Sequence, residues 1–138
     1  MKFYTIGYGG RKPEDFITLL KQKDVKTIVD VRLRPNHAYR GYYSKAKSKD
    51  RGIQKLLADN GIEYISLMKL GNVFMECEDW RERYQQLLKK EGDLLIEPLY
   101  NLSGHCCLMC AEKYAAECHR KLIADFLAMK GFEVEHIE

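Results

Sequence analysis

Short β-branched runs alternate along this chain with longer stretches in which apolar residues recur at helical spacing. Residues 2–6 read as a first strand, and Gly7-Tyr8-Gly9-Gly10 as a flexible turn after it. Pro13 suits the first position of a helix, Glu14 and Asp15 its first turn, and Phe16, Leu19 and Leu20 continue the helical spacing to residue 23. Residues 26–31 form a buried second strand ending at Arg32. Residues 33–49 carry almost no apolar periodicity and are expected to be irregular, exposed and beside any ligand crevice. Asp50 is placed to cap a helix bearing Ile53, Leu56 and Leu57, with Asn60-Gly61 as its stop and residues 62–65 as a third strand.

In the second half, a helix is expected from Asp79, with Trp80, Tyr84, Leu87 and Leu88 turned into the core. Gly92 is expected to interrupt it, and Leu95, Ile96, Leu99 and Tyr100 suggest a further helix closed by Gly104, although Pro98 weakens that pattern. Residues 105–110 read as a strand, 118–130 as a helix stopped by Gly131, and 132–137 as a final strand. This alternation predicts an α/β protein: a single-domain three-layer α/β/α architecture with a mostly parallel sheet of about five strands. A length of 138 residues suits one core. In such sheets ligands lie outside the carboxyl ends of the strands. Those ends deliver Gly7 to Arg11, then Asp30 and Arg32, then the 66–72 loop, then Cys110 and Glu112.

Composition changes this picture little. Hydrophobic residues make up 46% and charged residues 31%, an ordinary globular balance, and no apolar run approaches the ~20 residues of a membrane span. The first residues lack the apolar stretch of a secretory signal, so the expectation is a cytoplasmic protein with reduced cysteines and no Cys106–Cys107 disulfide. A net charge of +3 implies no partner by itself. Its distribution says more: between Arg32 and Arg51 stand seven Lys/Arg against the single acid Asp50, with His37, Tyr39, Tyr42 and Tyr43 interleaved. Such a stretch suits an anionic small molecule or nucleic acid, or is a solvated loop.

The candidate chemistry is concentrated late in the chain. Four of the five cysteines fall between His105 and Arg120, beside two of the four histidines. If the last long helix starts near Cys118, its dipole and the neighbouring His119 and Arg120 lower the thiol pKa. Cys118 is then a nucleophile, a redox thiol or a metal ligand; the competing reading is a small buried packing residue. Cys110 and Glu112 suit acid–base work with His119, unless Glu112 pairs with Arg120 or Arg32. A metal set would draw on Cys110, Cys118 and His119 with His105 or Cys107, but the spacing is not that of a zinc finger or ribbon. Cys107 and Cys110 also face opposite sides of a strand, so neither metal nor cofactor is assigned. A dinucleotide fingerprint would need glycine where Lys12 stands, and no Walker loop is present. Gly7, Arg11, Asp30, Arg32 and Arg120 remain as a candidate anion pocket, against the reading of a tight turn that needs glycine.

Several segments together resemble a known family. They are Thr5-Ile6-Gly7-Tyr8, Asp30-Val31-Arg32, Asn60-Gly61-Ile62-Glu63-Tyr64, Leu108-Met109-Cys110-Ala111-Glu112 and Cys118-His119-Arg120. In this order they resemble the DUF488 family, small prokaryotic α/β proteins of unknown function. Many members look like Ile-Gly-His-Ser at the first turn, where this chain has Ile6-Gly7-Tyr8-Gly9. The resemblance implies a fold and a candidate site but no reaction. Two functions follow from the residues. One is a thiol-containing enzyme acting on a phosphorylated or nucleotide-like substrate, with Cys110, Glu112, Cys118 and His119 catalytic. The other is a non-catalytic nucleotide- or nucleic-acid-binding module using residues 32–51.

Overall fold

The computed structural model describes residues 2–38 and 41–138; Tyr39 and Arg40, counted above in the basic stretch, lie outside the described residues. Five strands form one sheet in which every pairing is parallel: β1 (Lys2–Gly7), β2 (Val25–Asp30), β3 (Glu63–Ser66), β4 (His105–Cys110) and β5 (Glu133–Ile137). Their spatial order is β3-β2-β4-β1-β5. Four α-helices connect them: α1 (Pro13–Gln22), α2 (Gly52–Ala58), α3 (Trp80–Ile96) and α4 (Arg120–Met129). The mixed sheet allowed by the sequence is therefore wholly parallel.

Strand alternation divides the core in two. Phe16, Leu20, Ile53 and Leu57 of α1 and α2 pack with Ile6, Ile28 and Met109 on one face of the sheet. Tyr84, Leu88, Ile96, Ile123 and Leu127 of α3 and α4 pack with Phe3, Val29 and Leu108 on the other. On β4, Cys107 faces the first layer and Cys106 and Cys110 the second, as a period of two requires. β4 therefore lies between β1 and β2, whose following helices cover one face, while its own helix α4 covers the opposite face. Connections that leave neighbouring strands toward opposite faces open a crevice at the strand ends. That crevice lies at the carboxyl end of β4.

Local chemistry explains most boundaries. Pro13 opens α1, with Glu14 and Asp15 in its first turn. Gly61 and Gly131 take left-handed φ values of 71° and 96° just after α2 and α4. Asp50 does not cap α2. Arg51 holds the cap position without a side-chain bond, and the Asp50 amide donates to Ser48 Oγ in a turn of its own.

Gly92 does not break α3, which runs unbroken for 17 residues. It is buried against the ring of Phe126 on α4, so its missing side chain permits close helix packing rather than a turn. Leu99 and Tyr100 belong to a 3₁₀ segment, Glu97–Asn101, rather than an α-helix. The expected start of the last helix also moves: Ala115–Glu117 form a 3₁₀ turn, and Cys118 precedes the cap residue His119. Residues 33–49 contain two 3₁₀ turns, Pro35–His37 and Gly41–Tyr43. Tyr43 is not exposed there: its ring stacks on Tyr8 at 4.6 Å and its hydroxyl donates to Arg11 O. Among the described residues, no helix is long and apolar enough to cross a membrane.

The packing role of Gly92 has a testable sign. Propensity alone predicts that Gly92→Ala stabilises α3 by roughly 1 kcal/mol. A Cβ there would meet Phe126 Cζ at 2.5 Å, and overpacking costs about 1–3 kcal/mol. Gly92→Ala is expected to lower stability in urea denaturation, and Phe126→Leu in the same chain to recover part of the loss.

Candidate functional site

Three strand ends are drawn together beyond the last ladder bonds. Tyr8 N donates to Cys110 O at 3.1 Å, Gly9 N to Ala111 O at 2.8 Å, and Val31 N to Met109 O at 3.1 Å. Gly7 has a purely steric role here, because any Cβ would run into the backbone carbonyl of Glu112. The turn therefore approaches protein backbone closely. Arg11 is also engaged away from the crevice: its Nε donates to Gly7 O, and its other nitrogen donates to the carbonyls of Ile137 and Glu138. Gly7 and Arg11 thus lie outside the cavity lining.

The cavity measures about 390 Å³. On one side its lining includes Arg32, Cys110, Glu112, Cys118 and His119; Arg34, His37, Asn72, Met75 and Trp80 complete much of the rest. The sulfurs of Cys110 and Cys118 are brought against each other, whereas Cys77, Cys106 and Cys107 are free. Cys106 and Cys107 are not paired with each other, and tertiary structure brings Cys118 to Cys110. The loop from the end of β4 folds back through its 3₁₀ turn and returns Cys118 to Cys110. Burial pushes the Cys106 and Cys107 thiols up, as expected of packing residues.

The two sulfurs have different neighbours. Arg120 Nη1 donates to Cys110 Sγ at 3.0 Å, and Glu112 Oε2 lies 3.7 Å from the same sulfur. Cys118 Sγ lies 3.6 Å from His119 Nδ1 and accepts the Arg120 backbone N–H at 3.5 Å. His119 Nε2 lies 2.8 Å from Val31 O. A carbonyl only accepts, so Nε2 carries the proton and Nδ1 turns its lone pair toward Cys118. Burial lowers the His119 pKa, with the bond to Val31 opposing, so the ring is held neutral. Tyr84 packs edge-on against that ring at 5.3 Å and donates to Leu70 O at 2.6 Å, fixing the imidazole from behind.

Arg120 itself is 0% exposed. Its Nε donates to Thr5 Oγ1, and its terminal nitrogens donate to Glu112 O and Lys113 O as well as to Cys110. Burial draws its pKa down from the usual arginine value, yet a guanidinium stays charged at neutral pH. With these bonds made, it positions the sulfur and loop rather than offering a free anion site.

Asp30 and Arg32 form a second node. The carboxylate accepts Arg32 Nε at 2.9 Å and Nη2 at 2.7 Å, the Arg32 amide at 3.0 Å and the Tyr64 hydroxyl at 2.6 Å. Burial works against the charge on Arg32, but these contacts more than offset it and its pKa lies above the usual value. Arg32 is only 7% exposed; its guanidinium sits 5.2 Å from the Tyr8 ring centre, and among the described residues its Nη1 has no hydrogen-bond partner.

Sequence reasoning missed two wall residues. Trp80, expected in the core with Tyr84, lines the cavity, as does Met75, while Tyr8 and Asn72 come from the 7–11 and 66–72 segments already expected at the rim. No local motif marks Trp80 or Met75, because only the fold brings the start of α3 and the loop before it to the rim. Among the described residues, a metal would have one set available in the reduced state: Cys110, Glu112 and Cys118 offer atoms within 4.8 Å of one another. The Arg120 guanidinium against Cys110 Sγ places a positive charge beside that set.

A family model described as "Domain of unknown function DUF488" matches residues 12–127, and the chain belongs to this family. No curated protein and no solved structure matches it.

Two outcomes follow from this geometry. Arg120→Lys removes the fork that satisfies two carbonyls and the Thr5 hydroxyl, and each buried group left unpaired costs about 1–3 kcal/mol; a loss of roughly 3 kcal/mol or more is expected in denaturant titration. His119 has a folded-state pKa below its unfolded value of about 6.5. Its contribution is therefore fully present above pH 6.5 and is lost as pH falls, since the unfolded chain takes up the proton first. Stability is expected to decline as pH falls below about 6.5, and His119→Gln should reduce that slope.

Proposed function

We propose that this protein is a small thiol enzyme in which Cys110 and Cys118 cycle between dithiol and disulfide. We propose that its substrate is the disulfide of a phosphorylated or nucleotide-like thiol. The observation that carries the reading is the unequal environment of two paired sulfurs in one cavity. An imidazole lone pair faces Cys118, so His119 takes the proton of its thiol and yields a thiolate nucleophile. A guanidinium faces Cys110, and its positive charge stabilises that sulfur as a leaving thiolate.

The chemistry balances without another reactant. The Cys118 thiolate attacks one sulfur of the substrate disulfide, forms a mixed disulfide and expels the first product thiolate. The Cys110 thiolate then attacks Cys118 Sγ, closes the internal disulfide and expels the second. Two electrons pass from the protein to the substrate, and the two thiol protons end on the products. A low-molecular-weight thiol reverses the sequence, attacking Cys118 and releasing Cys110.

The anionic character of the substrate is supported by exposed Arg34 and His37 on the rim and by the unpartnered Nη1 of Arg32. Met75 and Trp80 suit an apolar or planar portion. Within this reading Glu112 stands at the rim beside Cys110, Arg120 positions that sulfur, and Asp30 holds Arg32.

The alternative, a nucleic-acid-binding module using residues 32–51, has less support. Arg32 is paired with Asp30, Tyr43 is buried, Arg34 lines the crevice, and Lys45, Lys47 and Lys49 line a separate groove beside β3. That alternative would give affinity falling steeply with salt.

The test uses reduced protein and coenzyme A disulfide as the probe. Wild type is expected to release two thiols per chain and recover the Cys110–Cys118 bond. Cys110→Ser should stop at an adduct that peptide mapping assigns to Cys118. His119→Gln should slow the first step by about a hundredfold, and Arg34→Ala should weaken half-saturation by roughly fivefold. An adduct forming on Cys110 in Cys118→Ser at the wild-type rate would reverse the assignment. Failure of wild type to release thiol would remove the reading.

A further inference from the structure

One of the two sheet edges, that of β3, stands beside a concentration of lysines that the crevice does not use. β3 has a partner only on the β2 side. Leu67 N donates to Asp30 O, so the backbones of Glu63, Ile65 and Leu67 turn toward β2. Those of Tyr64 and Ser66 consequently turn outward. Ser66 Oγ is buried there without a hydrogen-bond partner.

Grooves flank this edge on both layers of the molecule. On the α2 side, a groove of about 720 Å³ runs along β3 and is lined by Lys45, Lys47 and Lys49, with Glu63 its only acid. On the α3 side, a second groove is lined by Leu67, Met68, Leu94, Leu95 and Pro98. Met68 and Leu94 are 53% and 70% exposed there.

We propose that the free edge of β3 docks an extended segment of another protein whose residues alternate acidic and apolar. Side chains of an added strand point alternately to its two faces. Acids on one face meet the lysines, and apolar residues on the other meet the α3 groove. Outward N–H and C=O groups of Tyr64 and Ser66 supply the main-chain bonds, as in other strand-addition complexes.

Simple protection of the edge explains less. β3 itself carries no lysine, and protection does not account for exposed apolar side chains on the opposite layer. Nucleic acid fits less well, because Tyr64, the aromatic residue lining the lysine groove among the described residues, is half-buried and donates its hydroxyl to Asp30. β5 of a second copy has the right alternation in Glu133-Val134-Glu135. That pairing joins opposite edges head to tail, however, and would propagate into fibres unless a ring closed.

The test is fluorescence anisotropy with the full chain and a labelled peptide of alternating Glu and Val, about six residues long. Binding is expected, with at least a tenfold loss when alternate peptide nitrogens are methylated or when the same residues are arranged in two blocks. Lys45→Gln, Lys47→Gln and Lys49→Gln together should weaken it about tenfold, and Leu94→Ser should weaken it severalfold, with unchanged melting curves. Equal binding of the block peptide would reduce the edge to a charge effect and overturn the proposal. So would absence of peptide binding, tighter binding of an oligothymidylate at the same lysines, or self-association through this edge that the peptide blocks.

Discussion

The buried guanidinium of Arg120 ties together parts of the chain that have no other reason to meet. It reaches from the first turn of α4 to Thr5 on β1, to the sulfur that ends β4, and to two carbonyls of the following loop. A planar fork with five donors can satisfy such a divergent set, whereas an ammonium cannot. Because the group is fully buried, each acceptor it satisfies would otherwise be left without water or partner. The loop from Ala111 to Glu117 is thereby held in the shape that brings Cys118 back to Cys110.

Around that anchor, polarity is distributed unequally over a short distance. One sulfur faces a permanent cation, and the other faces a neutral imidazole whose tautomer is set by a backbone carbonyl. The Asp30–Arg32 pair closes another side of the crevice, held by a bidentate contact and by the Tyr64 hydroxyl. Burial of such a pair is stable only when its remaining groups are also satisfied. The carboxylate meets that condition; the guanidinium does so except at Nη1.

The same fold sends cations of the 33–51 region to two different places. Arg34 and His37 stay at the crevice, while Lys45, Lys47 and Lys49 lie against the edge strand. Between them Tyr43 turns inward, stacking on Tyr8 and meeting Phe16 edge-on. A linear count of charge and aromatics suggested one continuous surface. The buried aromatic cluster is the physical reason that it is not one.

Periodicity by itself determined the strands, most helix limits and the identity of the four segments that reach one rim. Those properties depend on local spacing, and hydrophobic burial on two faces of a sheet enforces them. Sequence also placed Cys110, Glu112, Cys118 and His119 close together, since they are neighbours along the chain. Tertiary structure decided what local rules could not. Gly92 became a helix-packing contact because Phe126 stands opposite it. Arg11 turned to the Ile137 and Glu138 carbonyls and Arg32 to Asp30, which leaves Arg32 Nη1 without a hydrogen-bond partner among the described residues. Trp80 and Met75 became cavity walls, and the pairing of Cys110 with Cys118 arose from a loop closed by Arg120. Each of these outcomes rests on a partner distant in sequence or on a loop shaped by one, and periodicity carries no information about such partners.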